Sequence, residues 1–298
     1  MIEKRFVQWY AADAGVDLDI AEREIALTYV LRILADHGLL ERLAFKGGTA
    51  IRKIYLGNQG RFSLDLDFTA MEDTDPEALI LDVAALFHNQ THNGLAFTIP
   101  TGDYYANPES CGAEISYQHE WATSGKFGIQ ISFRGRPLLP VRPAVLRQER
   151  YFEWLGFEPP AVPSLDLHEI IGEKIRAASQ RSRVRDLYDL YQLADQRFDR
   201  TRVRRIAVLK CWETNFTFDP ASFLVGIETG LYNWSDLRHL LRKSREIQPA
   251  VIMRGVQRKY TFLNELSPDE ALLARDPYQR QRKAYRAVLT EVQVAELL

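Results

Sequence analysis

The chain has 298 residues, of which 46% are hydrophobic and 26% are charged, and its formal net charge is −2. These values are typical of a soluble globular protein that is long enough for one large domain or two ordinary ones. No apolar run approaches the roughly 18 residues of a membrane span, the N-terminal segment lacks a signal-peptide core, and two distant cysteines exclude a disulfide framework. We therefore expect a cytoplasmic protein that has no membrane contact.

The charges are unevenly distributed along the chain. Residues 1–133 hold 10 Lys/Arg against 19 Asp/Glu, a balance of −9, whereas residues 134–298 hold 28 against 21, a balance of +7. Most of the basic residues are arginines, whose planar guanidinium group suits phosphate. The asymmetry favours nucleic-acid binding by the C-terminal half, although a solvated helical surface would have the same composition.

The N-terminal half reads as alternating helices and strands. Apolar residues at helical spacing predict an amphipathic helix over 20–42, and "LAF" predicts a short buried strand before a glycine pair. Thr49 is expected to cap the helix "AIRKIYL", and "FSLDLDF" (62–68) alternates strictly as a strand does. The remaining predicted elements of this half are the helix "PEALILDVAALFHNQ" and the strands "LAFTIP", "AEISYQHEW" and "KFGIQISF".

The character of the sequence changes after residue 133. A Pro- and Arg-rich connector, "RGRPLLPVRPAVLRQER", leads into a region that reads almost entirely as helix from about residue 164. The pattern predicts an α/β (α+β) core domain over 1–145, with a mixed sheet flanked by helices, and a mainly helical C-terminal domain over 146–298.

Asp65 and Asp67 are two residues apart on the predicted strand, so their carboxylates should lie on one face, a few ångströms apart. Two such groups repel each other unless a cation lies between them, and Mg²⁺ (or Mn²⁺) prefers oxygen ligands. Gly47 and Gly48 open the preceding helix, where backbone amides and the helix N-terminus favour phosphate. A carboxylate pair beside a phosphate-binding turn predicts a phosphoryl- or nucleotidyl-transfer site.

The run "FKGGTAIRKIYL…RFSLDLDF" resembles the signature of the AbiEii/AbiGii-type (MenT-like) toxins, which belong to the DNA-polymerase-beta-like nucleotidyltransferase superfamily. The resemblance implies a nucleotidyltransferase fold in which Asp65 and Asp67 hold the metal. Further residues of the matching segment are implied to bind the nucleotide: Lys46, Gly47, Gly48, Thr49, Arg52 and Ser63.

A second segment, "LHEIIGEKIRAASQRSRVRDLYDLY", resembles a later motif of the same family. Lys174 also falls within the apolar stripe of its predicted helix, where a lysine either snorkels or meets a charge in a cleft. The resemblance implies that Lys174 contacts the triphosphate. Asp186 is expected to orient Lys174 or Arg185 or to contact the nucleotide, and Asp189 is expected to be structural.

The general base stays unassigned at this point. Many superfamily members carry a third carboxylate on a later strand, but "FGIQISF" offers Gln130 and Ser132 at the matching place. Either Glu114 on the neighbouring strand substitutes for it, or two carboxylates suffice.

The resemblance implies a toxin of a toxin–antitoxin or phage-defence pair that transfers NMP from an NTP onto RNA, with the tRNA 3′ end as the expected acceptor. Its partners would be the NTP, the RNA and a cognate antitoxin. The alternatives are NMP transfer to a protein side chain and a non-catalytic NTP-binding regulator. Ser63 is a candidate regulatory phosphorylation site beside the aspartates. Arginines at apparent helical spacing form the candidate RNA-binding face: Arg238, Arg242 and Arg245.

Overall fold

The computed structural model describes residues 2–121 and 124–294, and the chain folds as two compact units. The first unit comprises Met1–Arg136, Val141–Ser164 and His239–Arg245, and the second comprises Pro137–Pro140, Leu165–Arg238 and Glu246–Leu298. This division differs from the predicted boundary at residue 145, because residues 146–164 and 239–245 pack with the first unit. Among the described residues, no helix is long and apolar enough to span a bilayer.

The first unit contains all the strands of the described chain. Its helices are α1 (Lys4–Ala14), α2 (Leu18–Asp36), α3 (Gly47–Ala50), which continues as a π-helical turn (Ile51–Leu56), and α4 (Pro76–Phe87). Its strands are β1 (Leu43–Lys46), β2 (Leu66–Ala70), β3 (Gln90–His92), β4 (Leu95–Thr98), β5 (Tyr104–Asn107), β6 (Ser110–His119), β7 (Ser124–Ser132), β8 (Arg142–Ala144) and β9 (Val162–Ser164).

These strands form one mixed sheet in the order β3-β4-β6-β7-β2-β1-β9-β8, with β5 paired to β6. Strands β2 and β7 run parallel, as do β1 and β9, and the other pairs are antiparallel. Helices α2 and α4 pack on the sheet and bury its apolar side chains. The predicted mixed α/β core is confirmed.

The strand that carries the aspartates is shorter than its alternating sequence predicts. Strand β2 begins at Leu66, not at Phe62, and residues 61–65 are irregular. The backbone groups of this segment have other partners, because the Phe62 N–H donates to the Leu240 carbonyl at 2.8 Å and the Asp65 carbonyl accepts from the Thr49 hydroxyl. Tertiary hydrogen bonds therefore replace the strand ladder that the pattern alone favours.

The second unit is helical, as predicted. Its helices are α5 (Leu167–Gln180), α6 (Val184–Leu193), α7 (Arg200–Glu213), α8 (Pro220–Thr229), α9 (Ser235–Arg238), α10 (Pro249–Lys259), α11 (Pro268–Ala274) and α12 (Arg282–Val294). Glu169 on α5 is fully buried and accepts hydrogen bonds from the N–H groups of Leu138 and Leu139. Lys210 on α7 pairs with the same carboxylate at 2.6 Å, so Glu169 joins three segments of this unit.

The prediction that Arg238, Arg242 and Arg245 share one helical face is wrong. Helix α9 ends at Arg238, and residues 239–245 belong to the first unit without helical structure. Arg242 and Arg245 instead bind Asn58 and the Gln59 carbonyl. The helix stops because the following backbone finds tertiary partners, for example the Gly15 carbonyl, which accepts from the Lys243 N–H at 2.6 Å.

A buried ionic cluster anchors the helix that follows the glycine pair. Arg52 Nη2 lies 3.1 Å from Glu149 Oε1, and Lys53 Nζ lies 3.1 Å from Glu24 Oε1. Lys53 also donates to the Tyr151 hydroxyl at 3.1 Å. Burial lowers the pKa of Lys53 and raises that of Glu149, with the opposite charges of the cluster resisting both shifts. The cluster couples α2 to the π-helical turn and to the segment after β8.

Replacing Arg52 by methionine should destabilise the first unit severely. Arg52→Met removes the guanidinium and leaves the Glu149 carboxylate without that buried partner, a class of change that costs about 3–5 kcal/mol. Urea unfolding of the variant measures this loss. The control is Arg134→Met, which breaks an exposed pair with Glu109 and should change stability by less than about 1 kcal/mol. Equal unfolding free energies for the two variants would contradict a structural role for Arg52.

Candidate nucleotidyl-transfer site

The glycine turn lies directly against one of the two aspartates. Gly47 joins β1 to α3 with a φ of +76°, a backbone conformation that L side chains rarely adopt. A Cβ added at Gly47 would lie 2.1 Å from Asp67 Oδ2, so only glycine allows the carboxylate to approach the turn this closely. The register places Lys46, the residue before the turn, opposite Asp67 in the β1–β2 pair.

Asp65 is held at two atoms just before β2. Its Oδ1 accepts a hydrogen bond from the Gly128 N–H at 3.0 Å, and its carbonyl accepts from the Thr49 hydroxyl. The expectation that Thr49 caps the helix is wrong, because Thr49 lies inside α3 and uses its hydroxyl to position Asp65. The Asp65 side chain remains solvent-exposed, so the second carboxylate oxygen is available to a ligand.

Strand β7 provides the neighbourhood of both aspartates. Asp67 on β2 is in register with Gln130 on β7. Gly128, two residues before Gln130 on β7, lies opposite Glu114 on β6. Residues paired in this way share a face of the sheet. Gln130 thus occupies the place beside Asp67 where a third carboxylate was sought, and Glu114 lies one strand further out, paired with Lys126 at 2.7 Å. The general base remains open between Glu114 and a two-carboxylate site.

The donor set fits a hard divalent cation that keeps water and substrate as ligands. Among residues 2–121 and 124–294, no group of three or more His, Cys, Asp or Glu side chains could hold a metal. Mg²⁺ is usually bound by one or two carboxylates together with waters and phosphate oxygens, and not by a complete protein cage. The Asp65–Asp67 pair beside a glycine turn matches that preference.

Gly48 and Ser63 pack together behind the turn. A Cβ at Gly48 would lie 2.5 Å from Arg61 Nη2 and 2.8 Å from Ser63 Oγ. Ser63 is only 9% exposed, so a phosphate on its hydroxyl would have to displace the glycine turn or Arg61. Regulation at Ser63 stays a prediction, and modification of its hydroxyl would require this packing to open.

Arg52 does not contribute to this face, contrary to the expectation that it binds the nucleotide. Its side chain is 1% exposed, it donates to the Gly57 carbonyl, and its guanidinium stacks 4.3 Å from the Phe62 ring centre. The helical period after the glycine turn points Arg52 into the core, where Glu24 and Glu149 neutralise it. We assign Arg52 to the stability of the first unit.

Lys174 in the second unit is bound by two carboxylates. Its Nζ lies 2.9 Å from Asp186 Oδ1 and 2.8 Å from Asp189 Oδ2. Arg181 Nε donates to the other oxygen of Asp186 at 2.9 Å. Burial alone would raise the pKa of Asp186, but Lys174 and Arg181 together hold it well below its usual range. Asp186 thus contacts Lys174, one of its expected partners, whereas its second contact is made by Arg181 and not by Arg185.

Two residues of these arrangements are not identified from the sequence. Gly128 has a usable signal, since an isolated glycine inside a strand pattern indicates close approach by another group. Asp189 contacts Lys174 as closely as Asp186 does, and its expected structural role stays a prediction. Arg181 carried no signal, because only the tertiary fold brings the residue after α5 to the first turn of α6.

A glycine turn against Asp67 on a mixed sheet, with Asp65 fixed just before the same strand, matches the site expected of a nucleotidyltransferase. The chain belongs to the AbiEii nucleotidyltransferase toxin family, whose model, described as "Nucleotidyl transferase AbiEii toxin, Type IV TA system", matches residues 29–296.

The fold is similar to that of a solved toxin structure. MenT4, a nucleotidyltransferase toxin from Mycobacterium tuberculosis H37Rv, matches with a TM-score of 0.83 and 25% sequence identity, over 98% of this chain and 100% of that chain. No curated protein matches the sequence. The family and the nucleotidyltransferase fold expected from the sequence are confirmed.

Adding one methyl group at Gly47 should abolish nucleotidyl transfer. In Gly47→Ala the new Cβ would overlap the Asp67 carboxylate and must displace it, in addition to straining the backbone at positive φ. Gly38→Ala is the matched control, because Gly38 has a similar φ of +73° but nothing within 4 Å of an added Cβ. Both variants carry the backbone strain of about 1–2 kcal/mol, and only Gly47→Ala should lose activity. Comparable transfer rates in the two variants would contradict the contact between Gly47 and Asp67.

The ion pairs of Asp186 with Lys174 and Arg181 should make the stability of the second unit decrease at acid pH. Because the folded-state pKa of Asp186 is depressed, its contribution to stability is complete above the unfolded pKa of about 3.9 and is lost as pH falls further. Asp186→Asn should therefore be less stable than the wild type at pH 7, and the difference in unfolding free energy should shrink towards pH 2. Denaturant titrations at several pH values measure it. If the difference in unfolding free energy between the wild type and Asp186→Asn stays constant between pH 7 and pH 2, the ionisation of Asp186 does not cause it.

Proposed function

We propose that this member of the family is a metal-dependent nucleotidyltransferase that transfers NMP from an NTP onto RNA, with the tRNA 3′ acceptor end as substrate, and so inhibits translation and growth. The observation that carries the proposal is the approach of the Asp67 carboxylate to the backbone of the Gly47 turn, with Asp65 fixed beside it by Gly128. This arrangement combines an anion-binding backbone with oxygen ligands for a cation.

In the first unit, one group of residues is proposed to bind phosphate and another to bind the metal. The backbone at Gly47 and Gly48 lies at the N-terminus of a helix, where N–H groups favour phosphate oxygens, and Lys46 adds positive charge next to the turn. Asp65 and Asp67 would hold Mg²⁺ or Mn²⁺, which when bound would neutralise charge on the triphosphate. Thr49 and Gly128 keep Asp65 in place, so that little reorganisation is needed when substrate arrives.

Lys174 is proposed to contact the triphosphate, as the family resemblance implies. Asp186 and Asp189 contact its Nζ at 2.9 and 2.8 Å, and its side chain is only 12% exposed. A lysine with two fixed carboxylate partners is a positioned point charge and not a flexible surface group. Its place in the family motif and this immobilisation support the role.

RNA is the favoured acceptor because residues 134–298 carry a balance of +7, most of it from arginine. Neutralising RNA phosphates releases counterions, so RNA binding should weaken steeply with salt. RNA contact by Arg238, Arg242 or Arg245 stays a prediction, now without the shared helical face. The family further supports a cognate antitoxin as a protein partner and the cytoplasm as the place of action.

The direct test is incubation with each α-labelled NTP and Mg²⁺ in the presence of either total tRNA or total protein. Label in tRNA supports the proposal, and label only in protein supports the first alternative. NTP binding without transfer to either would support the regulator, which is favoured by Gln130, and not a carboxylate, in register with Asp67. Chelation of the divalent cation should stop transfer and be reversed by added Mg²⁺.

Asp65→Asn and Asp67→Asn should each abolish transfer without unfolding the protein. Each change removes a metal ligand and also relieves like-charge repulsion, so the melting temperature should hold or rise slightly. Asp103→Asn, at an exposed position on the same unit, is the matched control and should keep full activity. Near-normal turnover in either site variant would place the reaction elsewhere.

A further inference from the structure

A cavity that the proposed chemistry leaves unused lies in the second unit. It has a volume of about 310 Å³ and is formed by the C-terminal end of α5, the residues that follow it, the segment before α8, and α8 itself. Its walls mix aromatic rings with hydroxyl, amide and guanidinium groups and the Asp219 carboxylate, and the residues used below are Ser179, Arg181, Thr217, Phe223, Gly226 and Tyr232.

Two residues of the cavity wall are connected to the Lys174 ion pair, one along α5 and one through a shared carboxylate. Ala178, which lines it, lies one helical turn after Lys174 and therefore on the same face of α5. Arg181, also in the wall, donates to Asp186 Oδ2 at 2.9 Å, while Lys174 contacts Asp186 Oδ1 at the same distance. One carboxylate thus connects the proposed phosphate ligand with the wall of the cavity.

The size and lining suit one flat heteroaromatic group. Small-molecule sites typically range from about 300 to 1,000 Å³, and the volume of about 310 Å³ lies at the lower end of that range, which is enough for a single nucleobase. Phe223 and Tyr232 are only partly buried, which leaves ring surface for stacking, and the Thr217 side chain is exposed at the rim. Stacking of a base on an aromatic side chain contributes about 1–3 kcal/mol, and hydroxyl and amide groups can read its edge.

We propose that this cavity binds the nucleobase of the nucleotide whose phosphates contact Lys174 and that it sets base preference. The proposal rests on the proposed function, because it takes Lys174 as a phosphate ligand. The base could belong to the incoming NTP or to the terminal nucleotide of the acceptor RNA, and the chemistry of recognition is the same.

Gly226 provides a way to fill the cavity without disturbing the fold. An added Cβ at this position of α8 meets nothing within 4 Å, and its φ lies outside the left-handed region. Replacing a glycine inside a helix also increases helix propensity, so Gly226→Phe should fold with an unchanged or higher melting temperature. The matched control is Val225→Phe, at a neighbouring residue of α8 that is 64% exposed and does not line the cavity.

The measurement is equilibrium binding in the presence of Mg²⁺ to each of the four NTPs, to inorganic tripolyphosphate and to total tRNA. Gly226→Phe should weaken binding of the preferred NTP by about tenfold or more, the equivalent of losing about 1.4 kcal/mol of stacking. Binding of tripolyphosphate, which has no base, should change by less than about twofold, and Val225→Phe should behave as the wild type.

The other outcomes separate the sources and the competing explanations. Weaker binding of tRNA with unchanged NTP binding would assign the cavity to the terminal base of the acceptor. Unchanged binding of all ligands, or equal weakening of NTP and tripolyphosphate, would overturn the proposal. The wild type could also modify no RNA while Gly226→Phe weakens binding of the NTP but not of tripolyphosphate. That result would contradict the proposed RNA transfer and support the base site.

Discussion

The contact between the Gly47 backbone and the Asp67 carboxylate constrains the whole first unit. Strand β1, the turn and β2 must be placed so that a carboxylate fits where a Cβ would otherwise lie. That arrangement needs a residue with positive φ and no side chain, and it needs strand β2 in one register only. A shift by a single residue would turn Asp67 towards the core and Phe68 towards the solvent.

The buried ionic cluster explains how such a constrained turn can be stable. Arg52 and Lys53 follow the glycines by a few residues, and both are fixed by carboxylates from distant parts of the first unit. Buried charges of this kind tolerate few alternative arrangements, because each must keep its partner. We infer that their main effect is to hold the helix behind the turn in one position, which keeps the backbone of the glycine turn pre-organised.

In the second unit, two buried aspartates hold a lysine and an arginine in place through ion pairs. Lys174 shares Asp186 with Arg181 and has Asp189 as a further partner, so two positive groups are fixed by two buried acids. This arrangement lowers the cost of keeping a lysine charged in a largely buried position. The same Asp186 carboxylate also contacts Arg181, which lines a cavity of about 310 Å³.

The short motifs determined much of this protein by themselves. "KGGT" and "DLD" specified the glycine turn, the aspartate pair and the family, because glycine at positive φ and paired carboxylates have few other uses at that spacing. Alternating and helical apolar patterns likewise predicted most strands and the helical second half. These signals are local, since each depends on residues that are neighbours in sequence.

Only the tertiary structure decided the roles of individual basic residues and the limits of several elements. Arg52 is a core residue, and Arg242 and Arg245 leave the helix that their spacing suggested, because partners distant in sequence neutralise the first and bind the other two. Strand β2 starts late for the same reason, since Thr49 and Leu240 take the backbone hydrogen bonds of residues 61–65. An arginine has the same sequence signature whether it meets a buried glutamate or a phosphate, and only the fold determines which of them is within reach.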